Sequence, residues 1–357
     1  MARFPLSRQW RLALFPGLAL LGALGVAGEP PPLPQGDAGL AAKYPRDVGI
    51  EKDPAVLFVE NFESPDIKGV KARWTEASDK AGKVLSLSGE VPVGSAGRQS
   101  LLMTATRGEN TGGHLWKLFK PGVDAMYARF YVKFAADHPY IHHFVKIGAW
   151  KDSPNWPQGE AGKKHDGRRS FQTGIEPGSG WGRFPPPGRW FVYTYWQEMR
   201  SFDGGKSYYG NGFAPQPEVP AARGRWQCVE FMVKANSAPD RPDGEQAFWI
   251  DGQLCGRWAP GTPTGQWVKD HFDIGPGKPF EGFRWRADAG VKINTFWLLY
   301  YLFTTDRINA ENESWNRKHP DDKINTAVAK VWFDDIVVAR EYIGPRAEAG
   351  RRAGGSR

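Results

Sequence analysis

Phenols, amides and cations recur along one side of alternating, strand-like runs in this chain, and their spacing defines the chemistry they could do. Tyr127–Phe134 reads YARFYVKF, so Ala128, Phe130, Val132 and Phe134 point one way and Tyr127, Arg129, Tyr131 and Lys133 the other. Phe191–Met199 reads FVYTYWQEM and puts Tyr193, Tyr195 and Gln197 on one face. The run IHHFVKIGAW supplies His142, His143 and Lys146. Period two places His142 with Lys146 and turns His143 inward with Val145 and Ile147; a bulge would exchange the two histidines. In RRSFQTGIEP, Arg169 precedes Gln172, which lies on the face opposite Phe171 and Thr173.

Such a set suits an acidic sugar chain. Taking the proton from C5 of a uronate and expelling the 4-linked sugar needs a base at C5 and an acid at the leaving oxygen. It also needs a cation or amide on the C6 carboxylate. Tyr195 and Tyr193 are the candidates for proton transfer, with Lys146 and His142 or His143 beside them. A tyrosine can act as the base only where a nearby Lys or Arg favours its phenolate. Arg129, Arg169 and Gln172 are the candidate carboxylate neutralisers, since a guanidinium grips a planar carboxylate at two points. Tyr131, Lys133 and Gln197 extend the same polar rows. The plainer readings are an aromatic ladder under a loop, a surface lysine, a hydrogen-bonded core histidine and arginines in structural ion pairs.

The opening residues read as a secretory signal over 1–28. Arg3, Arg8 and Arg11 precede the apolar run Leu12–Val26, and the small residues Gly25, Ala27 and Gly28 offer a cleavage site. The run is short for a membrane span and Pro16 interrupts it. A periplasmic or secreted protein is expected. The formal charge of +8 is concentrated at the ends. The signal carries +3 and the tail 346–357 another +3, leaving +2 for the rest. A nucleic-acid partner is not expected from a body without a clustered basic excess.

Residues 29–54 are rich in Pro and Gly and read as a linker. From 55 to 345 one domain is expected, followed by a basic disordered tail. Helical periodicity is almost absent, with a short candidate around Asn309–Lys318. Strand-type runs separated by Gly, Pro, Asn and Asp clusters predict an all-β, two-sheet antiparallel jelly-roll sandwich. The two cysteines sit in neighbouring strand-like runs. If Val233 pairs with Ile250 and Val229 with Leu254, Cys228 faces Cys255 and a disulfide can form; a shifted register separates the sulfurs.

The start, VLFVENFES, and the end, VWFDDIVVAREYIGP, resemble the first and last strands of concanavalin A-like sandwiches. Between them, WQCVEFMVKAN and GEQAFWIDGQL resemble the hairpin of that fold that ends in a W-I-D-G turn. With Lys146, the Tyr-x-Tyr of Tyr193 and Tyr195, and the glutamines, the chain resembles jelly-roll polysaccharide lyases acting on alginate and glucuronan. The resemblance implies β-elimination on an acidic polysaccharide with no required cofactor. It also implies a structural calcium ion, for which Glu63 and Asp334 or Asp335 are the candidate ligands; solvated acids on adjacent strands are the alternative. Two other functions remain open. Sixteen Trp could serve a carbohydrate-binding protein without catalysis. A glycoside hydrolase of this fold would need a carboxylate pair, and no Glu-x-Asp-x-x-Glu run occurs.

Overall fold

The computed structural model describes residues 30–152 and 161–347, so the signal segment and nearly all of the tail lie outside the described residues. The strands in chain order are β1 Val56–Glu60, β2 Glu76–Ser78, β3 Leu85–Ser88, β4 Ser100–Thr106, β5 His114–Val123 and β6 Ala125–Phe134. They continue with β7 Lys146–Trp150, β8 Ser170–Gly178, β9 Arg189–Tyr195, β10 Asn211–Phe213, β11 Trp226–Lys234 and β12 Glu245–Ile250. The last are β13 Gln253–Trp258, β14 Thr264–Val268, β15 His271–Ile274, β16 Lys278–Pro279, β17 Ile293–Leu299 and β18 Val328–Ala339. Among the described residues two α-helices complete the set, α1 Ile67–Ala72 and α2 Asp306–Lys318, the latter capped by the Thr305 hydroxyl, which accepts from the Ile308 N–H.

The strands form two sheets, and the protein is a jelly-roll sandwich. One sheet runs β13-β12-β11-β6-β18-β4-β3, with β1 also on β18. The other runs β16-β14-β15-β10-β9-β8-β7-β17-β5-β2. The first and last strands do lie side by side, Val59 opposite Val337. β18 pairs with β6 along one edge and shares its other edge by bending: Val328–Phe333 pairs with β4 and Ile336–Ala339 with β1, and a bulge at Asp334–Asp335 separates the halves. Asp335 takes a φ of 45° there. The apolar alternates meet between the sheets, as where Phe144 of the second lies 5.4 Å from Phe333 and 6.3 Å from Phe130 of the first.

The polar side of YARFYVKF is the outer face of the first sheet. Arg129 pairs across to Glu230 and Val337, and its fully buried guanidinium meets the Asp47 carboxylate at 2.5 Å. The Tyr131 hydroxyl accepts from the Arg346 N–H at 2.9 Å, and Lys133 pairs with Glu90 at 2.9 Å. None of the three reaches the second sheet's cleft, which corrects their expected role as substrate contacts. Alternation sorts the two sides of a strand without saying which sheet the strand joins.

The stretch read as a linker is part of the fold. Residues 36–52 form short 3-10 turns, and Leu40, Ala41 and Ile50 are buried with Val337, Ala339 and Ile343. Arg346, assigned to the tail, is ion-paired to Asp335 with its side chain only 4% exposed. Asp47→Asn keeps a residue that tolerates the φ of 60° found there but leaves the Arg129 charge buried without its partner. Unfolding in urea should show a loss of about 3 kcal/mol, the lower end for breaking a buried pair. A loss below about 1 kcal/mol would show that Asp47 is not the needed counter-ion.

The cysteines are free thiols. β11 and β12 pair with Val229 opposite Ile250 and Val233 opposite Gln246, not in the register that would bring the sulfurs together. Cys228 lies on β11 and Cys255 on β13, with β12 between them.

Candidate active site

The second sheet turns its other face to a cleft of about 290 Å³. Period two builds it. On β8, Gln172, Gly174 and Glu176 share the outer side, while Phe171 and Ile175 go to the core and Thr173 bonds there to Thr194 at 2.8 Å and Gln246 at 3.0 Å. Gln172 pairs with Tyr195 of β9 and Gly174 with Tyr193. Lys146 of β7 sits opposite Gly174 on the far side. Lys146 and Tyr195 are thus two strands apart, roughly 10 Å between their backbones, and their side chains line the same cleft with Gln172 and His143. Gly174 makes this possible, because a Cβ there would lie 3.1 Å from Lys146 Cγ and 3.2 Å from Glu176 Oε1.

The histidines show why phase could not be counted through this run. The N–H groups of His142 and His143 both donate to the Tyr301 carbonyl at 3.0 Å, so two residues oppose one. His143, not His142, consequently joins Lys146 in the cleft, the exchange that a bulge was expected to bring in place of strict period two. His142 bonds to the Thr304 hydroxyl and stacks on His143 at 4.3 Å. Burial, and then the neighbouring His143, push the His142 imidazole down to about 4.

Electrostatics distinguish the cleft residues. Burial lowers the pKa of Lys146 against an opposing pull from Glu176. Among the described residues none accepts a hydrogen bond from its Nζ, which lies 5.7 Å over the Trp297 ring. Burial raises the pKa of Tyr195, partly offset by Tyr193. The two hydroxyls are 3.4 Å apart, with Tyr193 only half-buried. Among the described residues no cation is a leading influence on the Tyr195 hydroxyl, and burial keeps the phenol protonated at neutral pH.

Glu176 was not foreseen from sequence. Buried at 3% exposure, it meets His143 Nδ1 at 2.9 Å. Burial raises its pKa, but His143 and then Lys146 outweigh that and hold the carboxyl below its ordinary value. With Nδ1 engaged, Nε2 is the imidazole nitrogen left for the cleft. His114, bonded to Glu76, and Trp297 also line it unforeseen. An acid preceding Pro177 at a strand end gives no sequence signal of such a role.

Other expected contacts lie elsewhere. Arg169 is exposed ahead of β8 and does not line the cleft. Gln197 donates to the Arg284 carbonyl at 2.8 Å and ties down a loop. The three acids considered for calcium act on one another: after burial, Asp335 and Glu63 both raise the Asp334 pKa, and Asp334 Oδ2 is buried without a hydrogen-bond partner among the described residues. Glu63 accepts from the N–H groups of Arg98 and Gln99 at 2.6 and 2.7 Å. Asp335 is paired with Arg346. Asp334 accepts from the Asp335 N–H at 2.8 Å, and burial, then Asp335, push its carboxyl up to about 9. Among the described residues no group of three His, Cys, Asp or Glu side chains is close enough to hold a metal ion by itself.

The fold is that of a jelly-roll sandwich, and solved structures share it. Similar solved structures include alginate lyase Aly36B, at 13% identity and a TM-score of 0.49, with 82% of this chain and 99% of that one covered. Alginate lyase vAL-1 from Chlorella virus is 10% identical with a TM-score of 0.49, covering 80% and 99%. The endo-β-1,4-glucuronan lyase of the fungus Trichoderma reesei is 13% identical with a TM-score of 0.43, covering 80% and 95%. No protein-family model matches the chain, and no curated protein does. At such identities the likeness concerns the fold, and the roles of residues rest on the geometry.

Proposed function

We propose that this chain cleaves an acidic, uronate-containing polysaccharide by β-elimination. The observation that carries this reading is the meeting of Lys146, His143, Gln172 and Tyr195 in one cleft whose described lining contains no Asp or Glu. A hydrolase would need two carboxylates there. Lys146 takes the C5 proton as a free amine. The C5–H electron pair forms the C4–C5 double bond, and the C4–O bond breaks. Tyr195 gives its phenolic proton to the leaving oxygen, and the Tyr193 hydroxyl is placed to donate to the phenolate that remains. The Gln172 amide and His143 Nε2 face the C6 carboxylate, where negative charge gathers. A lysine with a lowered pKa suits the base and a protonated phenol the acid.

The test is incubation with alginate, glucuronan, pectate and glycosaminoglycans while following the ultraviolet absorbance of the C4–C5 unsaturated product. Binding of one of these without any new absorbance would reduce the protein to a lectin-like one. The arginine-flanked apolar start of the chain supports an exported enzyme, and among the described residues no helix is long and apolar enough to cross a membrane.

Glu176→Gln probes the support behind the two basic groups. Removing the negative charge lowers the Lys146 pKa further, so the rising limb of the pH–rate profile should move to lower pH. The glutamine carbonyl still accepts from His143 Nδ1 but without charge assistance, so kcat should also fall. A profile of unchanged shape would leave Glu176 with a structural role only.

A further inference from the structure

A second cleft, of about 420 Å³, opens on the same sheet face, and of its lining only Glu176 has a part in the chemistry above. Its floor is the Glu176–Gly178 end of β8 and Arg189 and Phe191 of β9; its walls bring Trp181 from the β8–β9 loop and Arg307 from α2. Glu176 of that floor meets His143, which lines the first cleft, so the two clefts are neighbours on either side of this pair. From Gln172 to Gly178 is six residues along β8, about 20 Å at the rise of a strand. A chain of several sugars lying in the first cleft would extend into the second.

Trp181 is the unusual residue. It is 79% exposed. Its φ is 63°, a conformation disfavoured for residues with a Cβ, and Gly180 and Gly182 flank it at 58° and 75°. The loop therefore holds a large apolar ring out in water. The Arg307 guanidinium lies 4.7 Å from that ring. Arg183 and Arg189 lie 4.3 and 4.4 Å from the Phe184 ring. These two share Glu218, and Arg307 pairs with Glu311, so three guanidinium groups face two carboxylates.

We propose that this second cleft is a distal subsite for a further acidic sugar of the same glycan, a reading that rests on the first cleft being a polyuronate site. The indole supplies an apolar face for the C–H side of a pyranose ring. The arginines supply the planar donors that a uronate carboxylate takes.

Calorimetric titration of the full chain carrying Tyr195→Phe, which slows cleavage and leaves binding, with alginate and glucuronan trisaccharides and octasaccharides tests it. Octasaccharides should bind more tightly than trisaccharides of the same sugar, and Trp181→Ala should cut that preference about tenfold. Arg307→Gln should reduce it by several-fold and flatten its dependence on salt. Thermal melts of the variants should match the parent, because Trp181 is exposed. No length preference, or one that both variants keep, overturns the proposal, as does binding of neutral cello-octasaccharide equal to that of the acidic octamers. The absorbance assay separates the two readings. A Trp181-dependent length preference without cleavage keeps the subsite and defeats the lyase, whereas cleavage with a length preference indifferent to Trp181 does the reverse.

Discussion

Tyr195→Phe should lower turnover on the cleaved polyuronate by about 10²–10⁴-fold, the usual effect of removing one acid–base group. The ring, its burial and its packing survive, and only the proton-carrying oxygen goes. Binding should change little, since one lost hydrogen bond is worth only about 0.5–1.5 kcal/mol. The checking measurement is steady-state kinetics with kcat and KM resolved. A variant within about tenfold of the parent kcat would remove Tyr195 from proton transfer. Tyr193→Phe should be milder, because Tyr193 reaches the reaction only through the Tyr195 hydroxyl 3.4 Å away.

Lys146→Met should be as damaging, again about 10²–10⁴-fold. Methionine keeps most of the apolar stem but cannot accept a proton. The pH profile gives a second readout. The amine is a base only when deprotonated, so parental turnover should rise with pH through a value below the ordinary 10.5. The variant should lose that limb. Linkage carries the same sign into stability. Burial disfavours the charged ammonium in the folded protein, so the unfolded chain binds more protons between the lowered pKa and 10.5. Lys146 therefore detracts from stability below that window, and the loss fades as pH rises through it. A Lys146→Met variant with the parental limb would assign the base to His143.

How far the site could be read from sequence depends on what alternation encodes. FVYTYWQEM and RRSFQTGIEP each sort cleanly by face, so Tyr193, Tyr195 and Gln172 could be grouped without a structure. YARFYVKF sorts as cleanly, yet its polar face is the back of the opposite sheet, where Asp47 covers Arg129. Sheet membership is set by long-range pairing that no single strand records. The histidines failed for a local reason, the doubled donation to the Tyr301 carbonyl, which shifts the phase between His142 and Lys146. Glu176 was invisible because its importance is relational and arises only when β7 and β8 bring it to His143. The outline of the fold was more accessible, since many short strands leave few arrangements other than two packed sheets.

β18 stands between β6 and β4 in the middle of its sheet, although it is the last strand among the described residues. Until residues 328–339 are available, β4 and β6 have no partner between them and β1 has none at all. A ribosome releasing this chain from its N-terminus thus exposes most of the sandwich before the piece that closes it exists. Completion is a late, long-range step, of the sort that makes β-rich proteins slow to fold and prone to associate beforehand. The order of synthesis, as well as the final contacts, decides how long the unfinished edges of this protein stay open to one another.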